Sequence, residues 1–124
     1  MYEVSVDESF AAAHNLRNYH GKCENLHGHN YKVRIALTGE ELDLTGLLYD
    51  FVQLKRAIQA VIRPLDHVYL NEFPPFDVLN PSAENIARYI YDETAKHLPK
   101  APNGAGIASV TVWESEVTAA TYRP

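Results

Sequence analysis

A single cysteine, Cys23, has no partner for an internal disulfide, so a covalently stapled scaffold of the secreted type is excluded. A lone thiol is then a core residue, a metal ligand or a nucleophile. Long apolar runs are missing too: none approaches the ~18 residues of a membrane span. Nor does the chain start with the basic residues and unbroken apolar stretch of a signal peptide; Tyr2, Val4 and Val6 alternate with Glu3, Ser5 and Asp7. A soluble, cytoplasmic protein is expected. Positive charge is scarce: the net charge is −5, and Lys and Arg are scattered rather than clustered, which gives neither nucleic acid nor membrane a basic footprint. An anionic substrate would need local positive charge.

What remains is 46% hydrophobic and 22% charged across 124 residues, without low-complexity tracts, repeats or linkers, which fits one folded domain over residues 1–124. The alternation from Tyr2 runs through Phe10 and predicts a first strand ending near His14. After a polar loop with Asn15, Asn18, Gly21 and Asn25, the odd positions Tyr31, Val33, Ile35 and Leu37 predict a second strand, antiparallel to the first. Asp50 and Gln53 have capping-box spacing ahead of Leu54, Ala57, Ile58, Val61 and Ile62, a helical stripe that Pro64 ends. Asn80-Pro81-Ser82 opens a second helix, with Ile86, Ala87, Ile90, Thr94 and Leu98 as its stripe before Pro99. Two further strands follow, Ile107 to Trp113 and Val117 to Tyr122, joined by a turn around Ser115-Glu116. The order implies an α+β fold: a four-stranded antiparallel sheet covered on one face by two helices. Its open edges invite subunit pairing.

His27-Gly28-His29 heads the second strand in the parity of Tyr31, so both imidazoles point to one face. At a rise of ~3.3 Å per residue they start about 6.5 Å apart, near enough to share an ion. If the strands pair, His14 lies alongside. Three imidazoles with no fourth protein ligand describe an open catalytic zinc site; ordinary core or surface histidines are the alternative. Cys23, in Gly21-Lys22-Cys23-Glu24, would be a base or nucleophile beside such an ion, or a fourth ligand that closes it. Asp66-His67 is either a carboxylate–imidazole proton relay or a helix-terminal pair, and adjacent residues rarely pair directly in regular structure. Glu114 shares the parity of Val110 and Val112. On a buried face its carboxylate would need a partner such as an aminopyrimidine edge with two parallel N–H donors; a surface glutamate is the alternative.

These residues together resemble the 6-pyruvoyltetrahydropterin synthase and 6-carboxytetrahydropterin synthase family, through Phe10-Ala11-Ala12-Ala13-His14, Gly21-Lys22-Cys23, Leu26-His27-Gly28-His29-Asn30-Tyr31, Tyr49-Asp50-Phe51, Leu65-Asp66-His67, Asn80-Pro81-Ser82 with Glu84-Asn85, and Glu114. The resemblance implies the tunnelling fold, oligomerising into a barrel. It also implies Zn2+ on His14, His27 and His29, with Cys23, Asp66 and His67 catalytic and Glu114 and Ser82 binding substrate. It implies a homohexamer, a dimer of trimers with active sites at subunit interfaces. Ser82-Ala83 departs from the two hydroxyl residues often found there.

Only three residues separate Cys23 from His27, a short gap similar to the 6-carboxytetrahydropterin synthases of queuosine biosynthesis; the pyruvoyl-forming enzymes typically carry an insertion. The implied reaction converts 7,8-dihydroneopterin triphosphate and water to 6-carboxy-5,6,7,8-tetrahydropterin, acetaldehyde and triphosphate. Lys22 and Arg17 are candidates for meeting the triphosphate. The rival readings are a pyruvoyl-forming synthase on the same site and a non-catalytic, zinc-stabilised binding module with Cys23 as a ligand.

Overall fold

The computed structural model describes residues 1–124. Strand β1 (Tyr2–His14) pairs antiparallel with β2 (His27–Gly39) in an unbroken register from Tyr2↔Gly39 to His14↔His27. Strand β2 also pairs antiparallel with β4 (Gly106–Ser115), and β4 with β5 (Thr118–Tyr122). The turn between β4 and β5 is centred on Glu116 and Val117, one residue later than the sequence predicts.

The predicted four-stranded antiparallel sheet gains a fifth, parallel member. Val68–Tyr69 form β3, so the sheet is mixed, with the order β3-β1-β2-β4-β5. Two residues leave no periodicity to read. Strand β3 exists because the preceding residues clasp β1: Asp66 Oδ1 accepts from Ala11 N–H at 2.9 Å, and His67 N–H donates to Ala11 O at 2.6 Å. Both polar groups of one β1 peptide position are thereby satisfied, and Ala12↔Val68 and Ala13↔Tyr69 continue the ladder.

Both helices cover the same face of the sheet. Helix α1 (Phe51–Ile62) is capped by Asp50, whose carboxylate accepts from Val52 N–H at 2.8 Å. The cap is one-sided, since Gln53 makes no return bond. Helix α1 buries Leu54, Ala57, Ile58, Val61 and Ile62, and the chain passes into a short 3-10 turn, Arg63–Leu65, where Pro64 cannot supply an N–H. Helix α2 (Ala83–His97), capped by Ser82 Oγ on Asn85 N–H at 3.2 Å, buries Ala83, Ile86, Ala87, Ile90 and Thr94.

Against them lie Val6, Phe10 and Ala12 of β1, Tyr31, Val33, Ile35 and Leu37 of β2, and Val110 and Val112 of β4. The stripe that builds this core runs on into His14, 1% exposed, so the core ends where the histidines begin. No helix is long and apolar enough to cross a membrane.

Ile58, fully buried between α1 and the sheet, reports on this packing. Ile58→Ala is expected to cost about 2–5 kcal/mol in denaturant unfolding, because the rigid sheet below cannot collapse into the cavity left behind.

Candidate metal centre and active site

The antiparallel register does the first part of the assembly. It sets His14 opposite His27 and Ala12 opposite His29, so the end of β1 and the head of β2 bring three imidazoles to one place. Their ligand atoms all lie within 4.8 Å of one another. Ring centroids are 4.5 Å apart for His14 and His27, 5.0 Å for His14 and His29, and 4.8 Å for His27 and His29, all edge-on.

The outer nitrogens are held by backbone carbonyls. His14 Nδ1 lies 2.7 Å from Pro81 O, and His27 Nδ1 lies 2.7 Å from Asn25 O. A carbonyl oxygen only accepts, so each Nδ1 carries the hydrogen and each Nε2 presents a lone pair. Those two Nε2 atoms are 3.0 Å apart. Two lone pairs facing at that distance repel unless a cation lies between them. His29 Nε2 is buried with no hydrogen-bond partner. Opposed lone pairs, an orphaned third nitrogen and anchored outer nitrogens fit a divalent metal ion: imidazole ligands at ~2.0–2.1 Å in a tetrahedral set would be separated by about 3.3 Å, and metal-binding histidines commonly engage their second nitrogen in this way.

Burial favours the neutral form of two of these imidazoles, His14 and His29. Desolvation pushes the pKa of His14 down from its ordinary 6.5, against the opposing pull of the Pro81 carbonyl and the Glu114 charge. His29 is lowered for the same leading reason.

Glu114 faces this cluster. Oε1 is 4.0 Å from His14 Nε2 and Oε2 is 3.9 Å from His29 Nε2. Its aim comes from a β-bulge: Trp113 pairs with Ala119 and Ser115 with Thr118, leaving Glu114 without a partner on β5. The carboxylate also borders two cavities. One, of about 650 Å³, is shared with His29, Asn30, Lys32 and Trp113; the other, of about 490 Å³, is shared with Ser82, Glu84 and Thr121. Tyr31 underlies the cluster, its ring edge-on to His14 and His29, and burial raises its pKa so that the phenol stays protonated.

Cys23 sits half-buried in a 3-10 turn, Lys22–Glu24, whose place is fixed by the bond from Leu16 N–H to Cys23 O at 2.8 Å. Its sulfur is not among the converging ligand atoms.

Asp66 and His67 do pair directly, Oδ2 to Nδ1 at 2.9 Å, against the expectation for neighbours in sequence. The reason is local: His67 has φ +59, a left-handed conformation that swings its ring back over the preceding carboxylate. His67 Nε2 is left as the free nitrogen of a ring that is 81% exposed, and His67 lines a cavity of about 560 Å³ with His29 and Asn30.

With this geometry in view, the likenesses to known proteins carry weight. The sequence model of the family described as 6-pyruvoyl tetrahydropterin synthase matches residues 3–124. This chain belongs to that family. It is similar to the 6-carboxy-5,6,7,8-tetrahydropterin synthase of Bacillus subtilis, 33% identical with 99% of this chain and 86% of that protein covered. It is similar to the human 6-pyruvoyl tetrahydrobiopterin synthase at 34%, with 98% and 90% covered. Among solved structures, the Caenorhabditis elegans 6-pyruvoyl tetrahydropterin synthase superposes with a TM-score of 0.88 at 28% identity, covering 99% of this chain and 95% of that one. The mixed five-stranded sheet with two helices is the family's fold.

Other residues of this tetrahydropterin synthase family member fall differently from the sequence reading. Arg17 is no free cation: its guanidinium donates to Phe76 O at 2.6 Å, Asn71 O at 3.3 Å and Leu79 O at 3.4 Å, clamping the 71–80 loop. Lys22 is exposed. Ser82 borders the smaller cavity beside Glu114, but its hydroxyl is engaged in capping α2.

The clamping role of two asparagines escaped the sequence reading, which left Asn71 without a role and took Asn80 only as part of a helix start and a family motif. The Asn71 amide accepts from Asn15 N–H and donates to Asn15 O, and the Asn80 amide does the same with Arg17. Each acts as a substitute peptide, gripping the chain as it leaves β1 and holding His14 in place. The only signal was asparagine in a loop, which turn chemistry explains equally well.

Asp66 has its pKa lowered first by the Ala11 N–H bond and then by His67. A folded-state pKa below the ordinary 3.8 means that its stabilisation is present above pH 3.8 and is lost as pH falls through the depressed value. Carboxyl-carbon NMR should place the Asp66 midpoint below 3.8, and Ala11→Pro, which deletes the donor, should move it back up.

Proposed function

We propose that the protein is a zinc-dependent 6-carboxy-5,6,7,8-tetrahydropterin synthase, converting 7,8-dihydroneopterin triphosphate and water to 6-carboxytetrahydropterin, acetaldehyde and triphosphate, a carbon–carbon lyase reaction. The observation that carries the reading is the set of inward-facing imidazole nitrogens with Cys23 outside it, in a chain of the tetrahydropterin synthase family. His14, His27 and His29 would hold the Zn2+, which when bound supplies Lewis acidity at the substrate side chain.

The chain's own groups do the rest. Glu114 takes the pterin's amide and amine donors and fixes the ring, so that only the side chain meets the histidine cluster. Cys23 removes a proton from the carbon or hydroxyl next to the ring, and His67 moves a proton on the opposite face through its free Nε2. Asp66 holds His67 in that tautomer through Nδ1–H. Ser82 contributes through the cavity beside Glu114, and the exposed Lys22 is the remaining candidate for the triphosphate.

The exposure of His67 supports completion of the site by another subunit of a homohexamer. So do the sheet edges: β3 covers only Ala12 and Ala13 of β1, and β5 has no neighbour beyond it. Queuosine biosynthesis in the cytoplasm is the setting that this subtype implies.

Carboxy-forming relatives are 32–33% identical over 98–99% of this chain and pyruvoyl-forming ones 34–39% identical over 74–98% of it, so identity does not select the subtype, which rests on the gap of three residues between Cys23 and His27. The test is incubation of zinc-loaded protein with dihydroneopterin triphosphate and mass identification of the products. Acetaldehyde with the 6-carboxy product is expected; a pyruvoyl product without acetaldehyde overturns the subtype, and no turnover overturns the enzyme. Cys23→Ala should keep its zinc and lose about 10²–10⁴-fold in kcat, whereas His29→Ala should lose the zinc. Equal loss of zinc in both variants would favour the non-catalytic module.

A further inference from the structure

A triphosphate is a polyanion, and this chain, with a net charge of −5, has little positive charge to meet one. Three cavities touch the histidines, Glu114 or His67, and Lys32 is the one lysine or arginine that borders any of them. It lines the cavity of about 650 Å³, where the other charged groups are the carboxylates of Glu114 and Glu116. Arg17 is spent on carbonyls of the 71–80 loop, and Lys22 borders none of the three.

The sheet explains how Lys32 comes to share a cavity with His29. Lys32 has the opposite parity to Tyr31, so it projects from the face that the helices leave bare. The β2–β4 ladder stops at Lys32↔Trp113, and no pair continues towards His29 and Glu114. Beyond that last pair the cavity is lined from both faces of the sheet, and a flexible chain leaving the histidines past His29 meets Lys32 and Trp113.

Lys32 is held in place yet left unspent. Its Nζ lies 4.4 Å from the centroid of the Trp113 ring, whose face seats the ammonium. The neighbouring Asp7 carboxylate is 3.7 Å away, beyond hydrogen-bond reach. Asp7 is occupied instead by Arg34, whose Nε and Nη2 donate to its two oxygens at 2.7 and 3.0 Å. That bidentate pair neutralises the acid and leaves the second cation in excess, with its donors free.

We infer that Lys32, seated on Trp113 and relieved of Asp7 by Arg34, holds the phosphate chain of the substrate and lets the site select the phosphorylated pterin over the same molecule without phosphate. The identity of the pterin rests on the function proposed above; the anion seat rests only on these side chains.

Calorimetry on the zinc-loaded full chain tests this with two probes that do not turn over: neopterin triphosphate, whose fully oxidised ring lacks the hydrogens that the reaction redistributes, and neopterin itself. Wild type should bind the triphosphate more tightly than neopterin. Lys32→Gln should weaken triphosphate binding at least about tenfold and leave neopterin binding unchanged, since only a charged hydrogen bond to phosphate is lost. Lys32→Arg, which keeps the charge, should restore most of the difference. Arg34→Gln should also weaken triphosphate binding, because it releases Asp7 to Lys32. Equal triphosphate affinity in wild type and Lys32→Gln would overturn the inference, and so would loss in Lys22→Gln alone. Equal weakening of neopterin and its triphosphate would overturn it too, by assigning Lys32 to the scaffold. Inorganic triphosphate is the third probe: Lys32-dependent binding of it, in a protein that binds no neopterin, would uphold the anion seat and count instead against the pterin reading.

Discussion

Two imidazole lone pairs facing each other at 3.0 Å are the constraint around which this molecule is arranged. No neutral chain would place them so without something to hold them, and the holding is distributed. Pro81 O and Asn25 O fix the outer nitrogens, while the His14↔His27 register fixes the backbones. The Asn71 and Asn80 amides grip the chain directly after His14. Asn80, Pro81 and Ser82, three consecutive residues, respectively clamp Arg17, accept from His14 and cap α2. One short segment therefore couples the start of a helix to the orientation of a ligand, as preorganised metal sites require.

Folding and chemistry share a single stripe of side chains. On β1 the buried series runs Val6, Phe10, Ala12, His14, and on β2 the half-buried His29 leads into the buried Tyr31, Val33 and Ile35. The apolar part pairs with α1 and α2 and stabilises the fold; the same parity, continued past the edge of the helices, delivers imidazoles instead of aliphatic groups. The histidine cluster inherits the rigidity of the sheet at low entropic cost, since its backbone is already fixed by the ladder. Asp66 and His67 repeat the pattern on the outer edge: the carboxylate that orients the imidazole also ties β3 to Ala11.

Much of this was legible in the sequence because periodicity carries it. Both long strands, both helices, the Asp50 cap and the convergence of His14, His27 and His29 follow from alternation, from capping-box spacing, from i, i+3 and i+4 stripes and from antiparallel pairing. What was not legible depends on contacts between segments distant in the chain. Strand β3 is too short to have a period and is created by hydrogen bonds to β1. The direct Asp66–His67 pair needs a left-handed φ on a residue that gives no warning of it. Arg17 reads as a free cation until the 71–80 carbonyls that absorb it are seen. The aim of Glu114 comes from a bulge, which shifts register without leaving a mark in composition.

The central claim is an open three-histidine metal site with the thiol of Cys23 outside it. X-ray absorption at the zinc edge of the loaded wild-type protein tests that most directly. The account predicts a first shell of nitrogen and oxygen alone, with imidazole scattering from three rings and no sulfur. A zinc–sulfur shell at about 2.3 Å would contradict it, making Cys23 a ligand and the site a closed, structural one.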